Sequence, residues 1–328
     1  MLKHFYFHMS DSVCPWYNLA LEEHILLNLP PETCVLYLYQ NENTVVIGKN
    51  QNAWKECRHA LLESEGGKLA RRISGGGAVF HDMGNLNFSF IVDKNEYDLH
   101  RQLSVILEAV RSLGIEAQFS GRNDILSEGA KFSGNAFCYK KTSAFHHGTI
   151  LIDADMTRLA RYLSVSQDKI VSKGVESVRA RVCNLKERNR EVTVEKMKDA
   201  LCESFAKVYG PFEPLDIKNI DDVAAIERRN ASWEWKLGCS PKFDIETGVR
   251  FPWGRVDFYF SLQDGKITDV QVYSDALDAD FIDSLPCVLI GSLFSSKELA
   301  KRLSAIEDTP ERMQMAQDMA GFLVKKAY

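Results

Sequence analysis

Three consecutive glycines, Gly75 to Gly77, constrain this chain more than any other feature of its sequence. They follow two arginines and a serine and lead into an apolar run that ends at His81. Glycine loses more backbone freedom on folding than other residues, so three in a row are unfavourable unless a turn or a closely approaching group requires them. The segment lacks the Gly-Lys-Ser/Thr ending of a P-loop and the spacing of a dinucleotide-binding loop. On these residues alone, a glycine-rich hairpin turn and a backbone surface for an anionic ligand are equally good interpretations.

The composition limits the class of protein. At 328 residues the chain is longer than one hydrophobic core usually supports, which predicts one large domain and a smaller one. No apolar run approaches the roughly 18–20 residues of a membrane span, and a signal peptide is not expected. A net charge of −5 argues against general nucleic-acid binding. Eight scattered cysteines without a Cys-x-x-Cys pair indicate reduced thiols in the cytoplasm rather than disulfides or zinc.

The hydrophobic pattern predicts a mixture of strands and helices. Apolar residues at helical spacing predict a helix from Asn18 to Leu29, while Val35–Tyr39 and Thr44–Gly48 flank a polar tetrapeptide that indicates a hairpin. Because regular β-α-β alternation is missing, we expect an α/β (α+β) domain on a large mixed sheet. The other predicted elements are strands at 87–92, 116–120, 131–139 and 145–152, and helices at 97–113, 157–163 and 194–209.

A change in composition near residues 233–241 indicates a second domain. Beyond it we predict a strand meander followed by two helices, at 296–306 and 311–325. We therefore place the domains at 1–243 and 248–328.

Four further segments carry polar groups suited to a ligand. Lys131 precedes Ser133-Gly134-Asn135 at a predicted strand start, where its ammonium can project into a cleft as a compact charge. Together with the arginines before the triple glycine, these groups favour a pocket for a polyphosphate beside an apolar chamber. The other segments are the turn Gly121–Asp124, the segment His146–Thr149 and the cationic stretch at 172–185.

In this order, the segments resemble the two-domain lipoate–protein ligases of bacteria, and the resemblance covers nearly the whole chain. One such motif is weak, whereas this many in the same order are highly specific. The matching motifs are Asp11, Pro15-Trp16, Asn18-Leu19-Ala20, Glu22-Glu23, Thr44–Gly48, Gln51–Cys57, Arg71-Arg72-x-Ser74–Gly77, Gly121–Asp124, Lys131-x-Ser133-Gly134, His146–Thr149, the stretch at 172–185 and Ser232–Trp235.

The resemblance implies a two-step ligase. Lipoate and ATP first give lipoyl-adenylate and pyrophosphate. The acyl group then passes to a lysine of an apo lipoyl domain, in the E2 subunit of a 2-oxoacid dehydrogenase complex or in glycine cleavage H protein. The implied catalytic fold is that of biotin/lipoate protein ligases and class II aminoacyl-tRNA synthetases, with a small α+β accessory C-terminal domain. We expect the chain to act as a monomer.

The resemblance also implies the residues of the site. Adenylation brings a carboxylate against an anionic phosphate, so fixed cations are expected to lower the barrier. Lys131 is the implied catalytic residue, in contact with both the acyl carboxyl and the α-phosphate. The other implied residues are Arg72, Gly77, Ala78, Val79 and Phe80 for ATP, Ser74, Gly75, Gly76 and His147 for lipoate, and Lys173, Gly174, Ser177, Val178 and Arg179 for a loop that covers the adenylate.

Magnesium and a general base are less closely defined. Asn123 and Asp124 are candidate magnesium ligands, because this ion prefers oxygen donors. His81, His146 and His147 are candidate bases for the transfer step. A paired histidine in a strand more often satisfies hydrogen bonds than performs chemistry.

Two other functions stay open. A cysteine-dependent octanoyl or lipoyl transferase of the same superfamily, working without ATP, would use Cys138 or Cys183, although neither has an evident activating partner. A non-catalytic paralogue would keep the pocket and bind lipoyl domains. Arg71 has no assigned role, and a solvated strand residue is one interpretation of its position.

Overall fold

The computed structural model describes residues 1–120, 124–163, 182–237, 244–263 and 265–326, except for the side chains of Trp54 and Lys55. The chain divides into two compact units. The first consists of Met1–Ile47, Ala53–Arg72 and Ala78–Lys236, and the second of Gly48–Asn52, Ile73–Gly77 and Leu237–Tyr328. The triple glycine therefore groups with the C-terminal residues. The domain limits 1–243 and 248–328 remain a prediction.

Most strands of the first unit join one mixed sheet. The strands of this unit are β1 His4–Met9, β2 Thr33–Tyr39, β3 Thr44–Ile47, β4 Lys68–Arg71, β5 Val79–His81, β6 Asn85–Asp93, β7 Gln118–Ser120, β8 Asp124–Ser127, β9 Ala130–Tyr139, β10 Ser143–Leu151 and β11 Glu213–Pro214. Within the described residues, eight of them form a sheet in the order β11-β1-β2-β6-β10-β9-β8-β7. β1 is parallel to β2 and β11, whereas β6, β10 and β9 are antiparallel to their neighbours. This confirms the predicted mixed sheet.

The helices that the hydrophobic pattern predicts in the first unit are found in the structure. The predicted helices at 18–29, 97–113, 157–163 and 194–209 are all present, at Pro15–Leu27, Leu99–Ser112, Met156–Tyr162 and Val194–Tyr209. Polar caps explain where two of them begin: Asp98 accepts a hydrogen bond from the Arg101 amide, and Thr193 from the Lys196 amide. The helices are α1 Pro15–Leu27, α2 Ala53–Glu56, α3 His59–Ser64, α4 Leu99–Ser112, α5 Met156–Tyr162, α6 Val194–Tyr209, α7 Ile220–Ala231 and α8 Trp233–Lys236.

The two faces of the main sheet have different chemistry. On one face, Phe88 and Phe90 of β6 pack with apolar residues of α4 and α6 into the main core. Side chains alternate along a strand, so Ser89 points to the opposite face. His147 of β10 and Tyr37 of β2 are both in register with Ser89 and share that second face. The second face therefore carries buried polar groups and is the face that bears the candidate site.

The hairpin predicted between residues 35–39 and 44–48 is wrong. β2 lies between β1 and β6 in the main sheet, whereas β3 lies between β4 and β5 in a separate small sheet. Both strands are buried along their whole length, so each needs hydrogen-bonding partners on both edges. Asn43, in the left-handed region at φ 43°, turns the chain from one sheet to the other.

The second unit contains the predicted meander and one helix that the sequence did not indicate. Strands β12 Ile245–Phe251, β13 Gly254–Gln263 and β14 Lys266–Ser274 are antiparallel and pack on helices α9 Ala279–Leu289, α10 Ser296–Ser304 and α11 Pro310–Lys326. Only α10 and α11 were predicted. Pro286 lies inside α9, and a proline in a helix interior removes a backbone hydrogen bond, so this sequence does not favour a helix on its own. The unit is nevertheless the predicted small α+β arrangement.

Among the described helices, none is long and apolar enough to cross a bilayer.

Candidate active site

Lys131 lies near the start of β9, as predicted. Its ammonium nitrogen is 2.7 Å from Oδ1 of Asp124, and the two side chains are 34% and 38% exposed. The backbone of Lys131 is held from the other side, because its carbonyl accepts a hydrogen bond of 2.8 Å from the Cys183 amide. The side chain is thus accessible, while the strand that carries it is fixed.

Gly134 explains the Lys-x-Ser-Gly spacing. A Cβ at this position would lie 2.9 Å from Nζ and 3.0 Å from Cε of Lys131, so the lysine side chain folds over the glycine. The register between β8 and β9 shifts by one residue next to Phe132, and Asp124 comes to lie opposite Gly134. The strand geometry therefore brings the ammonium and the carboxylate to one point of the sheet face.

A buried acid–base pair lies farther along the same face. His147 Nδ1 is 2.9 Å from Oε1 of Glu22, a residue of α1 that is 1% exposed. His147 is directly opposite Ala136 on β9, and Ala136 is two residues beyond Gly134. Residues two apart on a strand share a face and are separated by roughly 7 Å. Lys131 and His147, both predicted site residues, are therefore on one surface.

Arg72 is a buried cation at the end of β4. Arg72 is only 6% exposed, and its guanidinium donates a hydrogen bond to the Val46 carbonyl at 3.2 Å. Burial lowers the pKa of Arg72 to about 10, while the charges of Tyr39 and Glu22 oppose this shift. Arg72 is thus still positive at neutral pH, as the implied contact with ATP requires.

His81 is held as a neutral hydrogen-bond donor. Asn18 donates to the carbonyls of Ser12 and Gln40 and to Oδ1 of Asn41, which orients both amides. The Asn41 nitrogen then donates to Nδ1 of His81 at 3.1 Å, so the ring proton is on Nε2. Within the described residues, this buried Nε2 has no hydrogen-bond partner. Burial and the nearby Arg72 lower the pKa of His81 to about 3, which removes it as a general base.

His146 is a structural histidine. It points away from His147 because neighbours on a strand alternate, and it stacks against Phe90 and Phe137. Burial lowers its pKa to about 3, so the ring is neutral and donates from one nitrogen. Nε2 lies 2.8 Å from the Asn135 oxygen Oδ1, and Nδ1 lies 3.2 Å from the Gln102 oxygen Oε1. His146 is therefore not a candidate base.

The two cysteines considered as nucleophiles are buried. The Cys183 thiol donates to the Ala130 carbonyl, and burial raises the pKa of this thiol. Nucleophilic cysteines are usually partly exposed and have lowered pKa values. The position of Cys183 therefore disfavours a cysteine-dependent transferase, and the burial of Cys138 disfavours it as well.

The triple glycine serves close backbone packing within the second unit. A Cβ on Gly75 would lie 2.3 Å from the Ala276 carbonyl oxygen, and one on Gly48 would lie 2.2 Å from the Gly76 oxygen. The Gly76 amide donates to that same Ala276 carbonyl. In contrast, a Cβ on Gly77 would meet nothing within 4 Å. Gly75 and Gly76 are thus accounted for by main-chain contacts, and Gly77 faces open space.

Arg71 is not the solvated strand residue that its position suggested. Its guanidinium donates to the carbonyls of Trp235 and Lys236, both at 2.9 Å, and the Trp235 indole donates back to the Arg71 carbonyl at 3.0 Å. Arg229 lies over the Trp235 ring at 4.2 Å. Arg71 therefore fixes α8 to β4, directly beside Arg72.

Some predicted residues are not covered by the structure. Lys173, Gly174, Ser177, Val178, Arg179 and Asn123 lie outside the described residues. Asp124 is described, but in the part of the chain that the structure covers no group of three or more histidine, cysteine or acidic residues is suited to a metal ion. Sequence reasoning did not assign site roles to Glu22 or to the proton on Nε2 of His81.

Comparison with known proteins gives consistent matches over both units. A family model described as the lipoyl protein ligase A/B catalytic domain matches residues 14–206, and one described as the bacterial lipoate protein ligase C-terminus matches residues 240–319. The chain is similar to P. falciparum LipL1, solved in complex with lipoate, at 28% identity and a TM-score of 0.85 over 98% of this chain and 99% of that one.

Two shorter proteins are also similar. A bi-partite lipoate protein ligase of Thermoplasma acidophilum, from a study of an archaeal lipoylation system and its E2 lipoyl domain, has 25% identity and a TM-score of 0.63 over 75% of this chain and all (100%) of its own. A lipoate-protein ligase A bound with ATP shares the fold at 23% identity, with a TM-score of 0.61 over 73% of this chain and 99% of its own.

Proposed function

This chain belongs to the lipoate–protein ligase family, and we propose that it uses ATP to attach lipoate to protein. Lipoate and ATP give lipoyl-adenylate and pyrophosphate, and the lipoyl group then passes to one lysine of an apo lipoyl domain. The observation that carries this proposal is the position of the Lys131 ammonium, over Gly134 on the face that also bears the buried pair Glu22–His147. A carboxylate bound by the ammonium can extend its chain along that face.

In the first step, a carboxylate oxygen of lipoate attacks the α-phosphorus of ATP. The new bond forms as the bond from this phosphorus to the bridging oxygen breaks, and pyrophosphate leaves with the electron pair. Two anions approach each other, so cations that stay in place during the reaction lower the barrier. Lys131 supplies one such charge at the carboxylate, and Arg72 supplies a second, buried one for the nucleotide.

The tail of the acid is proposed to lie against the face that carries His147. Gly134 and Ala136 on β9 and Ser89 on β6 are the small residues of the strand stretch around His147. His147 is thereby a contact of the tail, held in one orientation by Glu22. The roles implied for Ser74–Gly76 with lipoate and for Gly77–Phe80 with ATP belong to the same proposal.

Of the two candidate magnesium ligands, Asn123 and Asp124, the structure describes Asp124, and its carboxylate is suited to this ion. Asp124 offers a partly exposed carboxylate, and Mg²⁺ commonly takes one or two carboxylates together with substrate phosphate oxygens. When bound there, the ion would offset the negative charge of the phosphates.

In the second step, the amine of an acceptor lysine attacks the acyl carbon. An amide bond forms, the bond from this carbon to the phosphate oxygen breaks, and AMP leaves with that electron pair while the amine loses a proton. His81 and His146 are poor acceptors for this proton, because burial lowers the pKa of each ring to about 3 and makes both weak bases. The archaeal relative, studied with its E2 lipoyl domain, supports an acceptor of that class; glycine cleavage H protein is the other proposed acceptor.

Two measurements test the proposal. The first is exchange of labelled pyrophosphate into ATP, which requires adenylation and is expected only when lipoate is present. The second is mass spectrometry of apo lipoyl domain and apo H protein after incubation with the chain, lipoate, ATP and magnesium. Transfer from an octanoyl donor without ATP would favour the cysteine-dependent reaction instead. Binding of lipoyl domains without exchange or transfer would favour a non-catalytic paralogue.

Arg72 provides a specific prediction. We expect Arg72→Gln to reduce kcat/KM for ATP about 10- to 100-fold, because a hydrogen bond to a charged group contributes about 1.5–3 kcal/mol. Binding of lipoate measured without nucleotide is expected to change little. Arg71→Gln is the matched control: it removes the bonds to the Trp235 and Lys236 carbonyls and is expected to lower the melting temperature while leaving kcat/KM for ATP near that of the unchanged chain. Equal kcat/KM values for ATP in both variants would contradict the role of Arg72.

A further inference from the structure

We infer that Asp124 is a resident counter-ion of Lys131, and that the carboxylate of the acyl substrate displaces it from the ammonium on binding. The inference rests on the proposed function, because it concerns the acid that Lys131 binds. It gives Asp124 a positioning role that is separate from any contact with magnesium.

The contact between the two side chains is suited to exchange. Nζ of Lys131 and Oδ1 of Asp124 are 2.7 Å apart, yet this oxygen, which is itself buried, receives no hydrogen bond of acceptable geometry from the described residues. The pair is therefore a charge contact without directional bonding. About a third of each side chain is exposed, and ion pairs of this kind contribute only about 0.2–1 kcal/mol. A substrate carboxylate can replace such a partner at little cost.

The resting place of the ammonium does not depend on Asp124. The lysine side chain lies over Gly134, where the missing Cβ leaves the space that Nζ and Cε occupy. The Lys131 backbone is fixed by β9 and by the bond from the Cys183 amide. If the Asp124 charge is removed, the ammonium is expected to remain near the same point.

Asp124 and a substrate carboxylate compete for that point. β8–β9 pairing puts Asp124 opposite Gly134, so both anions approach the ammonium on the same part of the sheet face. Two carboxylates near one cation repel each other, which favours the departure of one of them. The side chain of Asp124 is exposed enough to turn towards solvent, where its oxygens become available for other ligands.

Asp124→Asn tests the exchange with no metal present. We would measure binding of lipoate to the full-length chain by calorimetry, without nucleotide and with a chelator of divalent ions. The variant is expected to bind lipoate roughly two- to fivefold more tightly, because the competing charge is gone. Lipoamide, which has no carboxylate, is expected to bind both proteins equally. Unchanged or weaker lipoate binding by the variant would overturn the inference, since a metal ligand or a purely structural residue predicts that result.

Gly134→Ala provides a second variant. The added Cβ meets only the flexible end of the Lys131 side chain, so the chain is expected to fold with an unchanged melting temperature while the ammonium shifts. Lipoate binding is expected to weaken about tenfold, because a misplacement of about 1 Å in a binding group has effects of this order or larger. Lipoamide binding is again the control. Unchanged lipoate binding would show that the ammonium does not rest over residue 134.

The outcomes separate the two proposals. If the unchanged chain binds no lipoate, the proposed ligase activity fails. If it binds lipoate and Asp124→Asn does not bind more tightly, the counter-ion role alone fails.

Discussion

Replacing Lys131 with alanine is expected to slow lipoyl-adenylate formation about 10²–10³-fold, the usual effect of removing one preorganised electrostatic group. The ammonium is the described cation that lies on the proposed path of the carboxylate, and its partner Asp124 carries the opposite charge. Without Lys131, the attacking carboxylate would meet the charge of Asp124 with no cation between them. Lipoate-dependent exchange of pyrophosphate into ATP measures this step directly.

Lys141 provides the matched control for this prediction. It is an exposed lysine in the turn after β9, so Lys141→Ala removes the same charge from the same strand pair without touching the site. We expect its exchange rate to equal that of the unchanged chain. Lys131→Ala is expected to keep its melting temperature, because the lost ion pair is partly exposed and weak. An exchange rate within tenfold of the unchanged chain would refute the assignment of Lys131.

Local patterns predicted much of the fold. The helix at residues 97–113 and the hairpin at 131–152 were found because their periodicity and their turn lie within a short window. The hairpin predicted between residues 35–39 and 44–48 was wrong, because a fully buried strand has no polar alternation to indicate its neighbours. β2 pairs instead with β6, which lies some 50 residues further along the chain, so no short window of sequence indicates the pairing.

The sequence predicts a site residue only where that residue lies inside a recognisable motif. Lys131 and Arg72 are cations inside recognisable motifs, so the sequence predicts a role for both, and these roles stay predictions. Glu22 was not assigned a role because a carboxylate in a helix usually faces water. Its surroundings did contain a signal: α1 is apolar on several sides, so its polar residues must be buried as well.

The protonation state of His81 needed the three-dimensional structure. It depends on Asn18 and Asn41, which reach the histidine from separate elements and orient each other's amides. No spacing in the sequence contains this information. The same network changes the interpretation of His81 from a possible base to a neutral hydrogen-bond donor.

Acid is expected to destabilise the fold strongly through His81 and His146. Burial lowers the pKa of each from 6.5 to about 3, so each ring stays neutral in the folded state as the pH falls from 6.5 towards 3. The unfolded chain binds these two protons as the pH falls below about 6.5, and the folded chain does not. Their contribution to stability is therefore complete above pH 6.5 and is lost progressively as the pH falls towards 3. At pH 5 the loss is about 2 kcal/mol for each histidine, or about 4 kcal/mol in total.

Urea unfolding at pH 7.5 and pH 5.0 measures this loss as a change in the free energy of unfolding. His146→Gln is expected to abolish about half of the change, whatever its effect on stability at pH 7.5, because only one titrating ring then remains buried. His100→Gln, at an exposed position of α4, is expected to retain the whole change. If His146→Gln and the unchanged chain lose equal stability between the two pH values, burial of neutral histidine does not cause the acid sensitivity. In that case the loss belongs to the paired carboxylates, which lose their charge at lower pH.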